Sequence, residues 1–203
     1  MLKSFFSGKK IIKWWVGSDV LLLLKFPPGR GKLSVLRHRL KMRILEPFIS
    51  RHWINGYRLL KALEDVPYIP FRKCQLQFWV GRDTIVEKVP HEGFNVFYYS
   101  PGDSVYQRWV YGLDIIEKLI YIFPHFNWVK LDGKIDMKSA FKVMDIYIRP
   151  SRWDGFPRLV REAALNDIPV IFSENFDLTV EDCADQLRAI YAKHPQPLVP
   201  GKS

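Results

Sequence analysis

One stretch constrains what this chain can fold into more than any other: residues 145–177, DIYIRPSRWDGFPRLVREAALNDIPVIFSENFD. An apolar run (Ile146, Tyr147, Ile148) stops at Pro150-Ser151, a polar loop follows, and an amphipathic segment leads into a second apolar run, Ile168 to Phe172. Strand, loop, helix, strand is the repeating piece of a parallel sheet, because parallel neighbours need a long crossover and a helix supplies it. Within the piece, Gly155 allows close approach of the backbone to another group. Pro157 is suited to the first position of a helix, where a missing N–H costs nothing. The helix, expected from Pro157 to about Leu165, then turns its free amides toward the loop that carries Asp154, which makes a place for an anion such as a diphosphate. Leu159, Val160, Ala163 and Ala164 supply its sheet-facing side, with Glu162 at the border, where a carboxylate can accept from a ribose diol. Taken alone, Asp154 and Glu162 also fit a helix cap and a solvated glutamate.

The remainder falls into segments of similar size. Ile11–Val16 reads as a strand ending at Gly17-Ser18-Asp19, residues 25–32 as a Pro- and Gly-rich loop, and Ser34 to about Phe48 as a basic helix. Residues 52–63 are expected to be helical, and residues 66–71 and 75–80 extended. From Phe94 the alternation is regular: a strand to Tyr99, a single helix from Ser104 to Phe123, a strand 126–131, a helix 137–143, the strand 145–149, the stretch above, and a last helix from Thr179 to Ala192. This is the order of a doubly wound parallel α/β sheet.

The central stretch resembles the donor-binding half of the GT-B type, nucleotide-sugar-dependent glycosyltransferases, especially the family-four-like group. Their signature, P-S-x-x-E-G-F/L followed by E-A-x5-P-V-I, is matched here by Pro150, Ser151, Asp154, Gly155, Phe156, Glu162, Ala163, Pro169, Val170 and Ile171, with Asp154 replacing the usual glutamate. The likeness runs over roughly 93–192, and Trp15-Val-Gly-Ser-Asp19 resembles a segment of the family's acceptor domain. It implies a GT-B-like α/β fold of two Rossmann-like domains, a shortened N-terminal, acceptor-side domain over 1–92 and a donor domain over 93–203. It also implies a hexosyltransferase-like enzyme, retaining, with Asp154 and Glu162 as catalytic residues. Donor binding is assigned to Gly102, Arg108, Gly133, Lys134, Ile135, Ser151, Gly155, Phe156, Pro157 and Arg158, and the acceptor-side cleft to Gly17, Ser18 and Asp19. The lysine of the family's Lys-Gly pair is replaced by Tyr111 before Gly112, with Arg108 as the substitute cation. The implied partners are a nucleotide-sugar donor and an acceptor (glycan, lipid-linked or protein).

No metal and no resident cofactor are expected. Histidines 38, 52, 91, 125 and 194 form no spaced pair, no D-x-D motif occurs, and neither Gly31-Lys32-Leu33 nor Gly201-Lys202-Ser203 completes a phosphate-binding loop. Cys74 and Cys183 lack disulfide or metal spacing, which points to a reducing, cytoplasmic setting. Lys13 and Asp19 interrupt the apolar residues 11–24, so no spanning segment is expected. Charge is lopsided: residues 1–92 hold 18 Lys+Arg against 7 Asp+Glu, and residues 93–203 hold 13 against 14. That basic half, with Phe5-Phe6, Trp14-Trp15, Lys9, Lys10, Lys13 and the basic helix at 34–48, suits docking on an anionic membrane surface. Two alternatives stay open: a nucleic-acid-binding protein, using 14 Lys+Arg in residues 1–61 interleaved with Trp14, Trp15, Phe26, Trp53 and Tyr57, and a degenerate nucleotide-sugar binder without turnover. The sugar, the base and the oligomeric state are not readable from the sequence.

Overall fold

The computed structural model describes residues 10–77, 85–173 and 177–194. Its strands form two parallel sheets, and the chain divides into two compact units. The first unit takes the chain to Arg82 with Ser104–Val110 and Arg152–Arg158; the second takes Asp83–Asp103, Tyr111–Ser151 and the chain from Leu159.

In the first unit β1 (Ile11–Trp15) is followed by α1 (Ser18–Leu24) and α2 (Lys32–Leu45), then by β2 (Ile49–Ile54), α3 (Tyr57–Glu64) and β3 (Cys74–Leu76). The sheet order is β1-β2-β3, with both pairings parallel and helices on each crossover. Two expectations change here. The helix expected over 52–63 is a strand to Ile54 and a helix from Tyr57, because Ile49, His52 and Ile54 all point inward and His52 disguises the apolar pattern. The basic helix begins at Lys32 and closes at Leu45 with a 3-10 turn, Glu46–Phe48, where Pro47 has no N–H to continue it. Of the extended segments expected near residue 70, a 3-10 turn takes Phe71–Lys73 and the strand is limited to Cys74–Leu76, while 78–80 lie outside the described residues.

His52 is fully buried, and one of its two ring nitrogens is hydrogen-bonded. Trp15 Nε1 donates to its Nδ1 at 3.0 Å, which leaves the proton on Nε2, 3.7 Å from Glu46 Oε1. Glu46 in turn pairs with Lys73 at 2.7 Å. Burial holds the His52 pKa below its ordinary 6.5 and outweighs the pull of Glu46, so the ring is neutral at pH 7. Trp15 is therefore a core residue, and Trp14 packs edge-on against Trp53 at 5.9 Å between centroids.

The second sheet contains β4 (Asn95–Tyr99), β5 (Asn127–Leu131), β6 (Ile146–Arg149) and β7 (Val170–Phe172), in the order β5-β4-β6-β7, all parallel. The helices between are α4 (Val105–Val110), α5 (Leu113–Ile122), α6 (Met137–Val143) and α7 (Arg158–Leu165), and α8 (Val180–Tyr191) follows β7. β6 is buried along its whole length, as a central strand covered on both faces must be. Val96, Ile148 and Ile171 of the sheet share one core with Ile116 and Leu119 of α5 and Leu187 of α8. Thr179 and Asp182 form a reciprocal capping box that starts α8. Cys74 and Cys183 are both free thiols, and burial pushes Cys183 up to about 12. Among the described residues no helix is long and apolar enough to cross a membrane.

The single helix expected over 104–123 is broken in two. Gly112 has φ +66°, and a Cβ there would lie 2.1 Å from the Pro150 carbonyl oxygen. The break thus lets the chain pass directly over the end of β6. A Gly112→Ala variant is expected to lose about 2 kcal/mol or more, from left-handed backbone strain plus the clash. Urea unfolding checks this, with a lowered midpoint at unchanged m as the expected result.

Candidate functional site

In a parallel sheet, ligands collect at the carboxyl ends of the strands, where neighbouring connections leave in opposite directions. Here the connection from β4 runs to β5 on one side, and β6 lies on the other, so that point falls between β4 and β6. Tyr99 ends β4 and Arg149 ends β6, with Ser100 and Pro150-Ser151 just beyond. Ser100 and Ser151 are both buried. Ser100 Oγ donates to the Gly102 carbonyl at 3.3 Å, while Ser151 Oγ has no hydrogen-bond partner among the described residues. A buried hydroxyl without a partner is uncommon and marks a place where a polar ligand can be received.

Arg149 was not anticipated. Its guanidinium lies against the rings of both Tyr99 (4.5 Å) and Tyr111 (5.0 Å), which meet each other edge to face at 5.3 Å, and its NH1 group donates to Tyr147 Oη at 3.3 Å. A charge only 7% exposed at this point of the sheet is a strong electrostatic feature. The signal for it was an arginine ending an otherwise apolar strand, Ile146-Tyr-Ile-Arg149, with tyrosines at 99 and 111 that only the sheet brings together.

The loop after Ser151 groups with the first unit, where it rests on the carboxyl ends of β1 and β2. Trp153 is buried and its Nε1 donates to the Gly17 carbonyl at 3.0 Å. Asn55 and Phe156 exchange two bonds of 3.1 Å, Phe156 N to Asn55 O and Asn55 Nδ2 to Phe156 O. Two glycines make the approach possible. A Cβ on Gly17, whose φ is +124°, would sit 3.0 Å from the Asp154 backbone, and one on Gly155 would sit 2.4 Å from Asn55 O. The close approach that Gly155 permits is thus to Asn55. Neither Trp153 nor Asn55 was singled out in the sequence; a tryptophan inside a polar loop, whose N–H needs a partner once buried, was the available signal.

Among the expected site residues, Gly17, Asp154, Gly155 and Phe156 are brought together in this unit. Asp154 is half-buried, and its Oδ1 accepts from Gly155 N at 2.8 Å. Ser18 opens α1, and Asp19 lies in its first turn, paired with Lys13 and accepting from Val16 N at 3.3 Å. Pro157 is buried and immediately precedes α7, which begins at Arg158, one residue later than expected; Arg158 is exposed. Arg108 is half-buried in α4.

In the second unit, Glu162 is half-buried on α7 with its Oε2 shielded from solvent. Gly133, Lys134 and Ile135 form an exposed turn after β5, where Gly133 has open space around it and Asp132 accepts from Lys134 N at 3.0 Å. That hydrogen bond, with the Lys134 charge, holds the Asp132 carboxyl below the usual range. Among the described residues no three His, Cys, Asp or Glu side chains are grouped as a metal site would need.

No protein-family model matches the sequence, and no curated protein is significantly similar to it. Solved structures are similar in fold. HepE of Anabaena, crystallised with UDP-glucose, aligns at 13% identity with a TM-score of 0.64, covering 94% of this chain and 64% of HepE. The same protein with UDP and glucose gives 11% identity and 0.63, and TarM gives 9% and 0.59, covering 91% of this chain and 44% of TarM. The chain thus spans less than two thirds of these proteins. At such identities the likeness shows the fold, which is the GT-B-like α/β architecture of two Rossmann-like parallel units expected from the sequence.

Gly155→Ala tests the loop contact. The added methyl would meet the Asn55 carbonyl and also the Asn55 side-chain amide, so the loop is expected to shift and stability to fall by about 1–3 kcal/mol. Denaturant unfolding together with tryptophan emission checks it, since Trp153 is buried against Gly17 in the native loop.

Proposed function

We propose that the protein is a glycosyltransferase that moves a sugar from a nucleotide-diphosphate donor to an acceptor hydroxyl. The bond from the anomeric carbon to the diphosphate oxygen breaks, the bond to the acceptor oxygen forms, and the acceptor proton is released. The observation that carries this reading is the placement of Pro150, the buried Ser151 hydroxyl and the approach to α7 at the carboxyl end of β6. Support comes from a fold shared over 94% of the chain with a protein crystallised with UDP-glucose.

In this reading catalysis is mainly electrostatic. The amino end of α7 and Arg108 meet the charge that develops on the departing diphosphate, a task for fixed dipoles and cations rather than a metal. Glu162 accepts from the ribose hydroxyls, and Asp154 accepts from the sugar. Asp154 is one methylene shorter than the glutamate of the family signature, and its Oδ1 accepts from Gly155 N. Gly133, Lys134 and Ile135 offer an exposed turn for the base. The transfer is proposed to retain configuration, and the acceptor is proposed to be met at a membrane surface.

The test is a thermal-shift screen with UDP-, GDP- and ADP-sugars on wild type and on Glu162→Gln. At least one donor is expected to raise the wild-type Tm in a concentration-dependent way. The variant is expected to keep its unliganded Tm and to bind that donor about tenfold or more weakly, as loss of a charge-assisted bond worth about 1.5–3 kcal/mol requires. No shift with any donor at saturating concentration would remove the donor-site reading.

A further inference from the structure

Helix α2 carries two apolar stripes, and only one is used by the core. Val35 and Met42 are buried, at 1% and 4% exposure. Leu33, Leu36, Leu40 and Ile44 are exposed, at 63, 50, 60 and 58%. At 3.6 residues per turn these four fall within an arc of about 80°, on the side of the helix opposite Val35 and Met42. They form a continuous ridge along a helix of 14 residues, about 21 Å long.

The charges around that ridge identify its occupant. Arg37 and Lys41 border one edge of the arc, Lys32 and Arg43 the other, and all four are exposed. None of them is in an ion pair among the described residues, and the helix contains no acidic residue. Arg37 and Lys41 join Leu40, Ile44 and Leu45 around a shallow surface hollow. By contrast Arg39, toward the inner side, is spent on the carbonyls of Leu22 (3.0 Å) and Lys25 (3.1 Å).

We infer that the outer face of α2 docks on an anionic lipid bilayer, its leucine ridge entering the acyl boundary while the four flanking cations reach the headgroups. An apolar ridge edged on both sides by Lys and Arg is what a helix lying in the bilayer interface requires, because long basic side chains can bury their stems and keep their charge among the phosphates. A second copy of the same face is disfavoured, since pairing two such ridges would bring eight like charges together. The membrane contact expected from the sequence is thereby narrowed to its basic helix. Trp15 is buried and Trp14 packs on Trp53, so α2 rather than the Trp14-Trp15 pair carries it; Phe5, Phe6 and Lys9 lie outside the described residues. The docking face stands on the helix alone; only its consequence, delivery of a membrane-borne acceptor, rests on the glycosyl-transfer reading.

The test is co-sedimentation of the full chain with vesicles of phosphatidylcholine alone and with phosphatidylglycerol added. Wild type is expected to sediment with the anionic vesicles, to remain in solution with the neutral ones, and to be released by salt. Leu36→Asp/Leu40→Asp and Arg37→Glu/Lys41→Glu, all at exposed positions, are each expected to keep the wild-type melting temperature and to lose about tenfold or more of the partitioning. Three results would overturn the proposal: no sedimentation at low salt, sedimentation that both variants retain, or a wild-type dimer in gel filtration that the leucine variant abolishes while vesicles are ignored. Because vesicle binding is read without any nucleotide sugar, failure here leaves the donor screen untouched, and failure of that screen leaves the docking face standing.

Discussion

The loop that carries Asp154 is held in place by backbone meeting backbone. At Gly17 and Gly155 there is no room for a methyl group, and Asn55 and Phe156 exchange two hydrogen bonds, one between backbones and one from the Asn55 side-chain amide to the Phe156 carbonyl. A side chain at either glycine would wedge the loop away from the ends of β1 and β2 and take Asp154 with it. Trp153 completes the attachment by burying a large ring and using its only donor on the Gly17 carbonyl. The orientation of the one acidic residue in the loop thus depends on contacts formed more than a hundred residues away along the chain.

The second constraint is the parallel sheet. Once β4 and β6 lie side by side with their connections leaving in opposite directions, their carboxyl ends expose backbone amides and polar side chains without disturbing the core. The Gly112 break serves the same geometry, carrying the chain over Pro150 at a distance that excludes a side chain. Tyr111, beside it, is thereby set against the guanidinium of Arg149 and edge to face with Tyr99, which touches the same guanidinium. Stacking on rings lowers the cost of keeping a guanidinium this deeply buried.

Much of this was legible in the sequence where the signal is local. From Phe94 onward strands and helices alternate with the right periods and the right turn residues, and seven of the eight expected elements there occur within two residues of their expected bounds at each end. The exception, the helix split at Gly112, depends on a positive φ that the apolar period does not encode. β2 was missed because its inward positions include a histidine, which is polar in any pattern but is buried here with Nδ1 accepting from Trp15 and Nε2 facing Glu46. Trp153, Asn55 and Arg149 were missed for a common reason: each acts through partners distant in sequence, and nothing next to them reveals which partner that is.

The basic helix shows how a pattern can be legible in composition and hidden in periodicity. Leucines on the outer face and Val35 and Met42 on the inner face oppose each other, so α2 has almost no net amphipathic direction even though each face is well defined. A search for one apolar face sees an indifferent helix. Exposure separates the two stripes, and it assigns the surplus charge as well: Arg39 goes to helix carbonyls and Lys73 to Glu46, while Lys32, Arg37, Lys41 and Arg43 remain in solvent around the leucine ridge. Solubility would be served by basic residues scattered over the surface. Their arrangement on both edges of an exposed apolar stripe requires a stronger reason, and an anionic interface provides one that uses the leucines and the cations together.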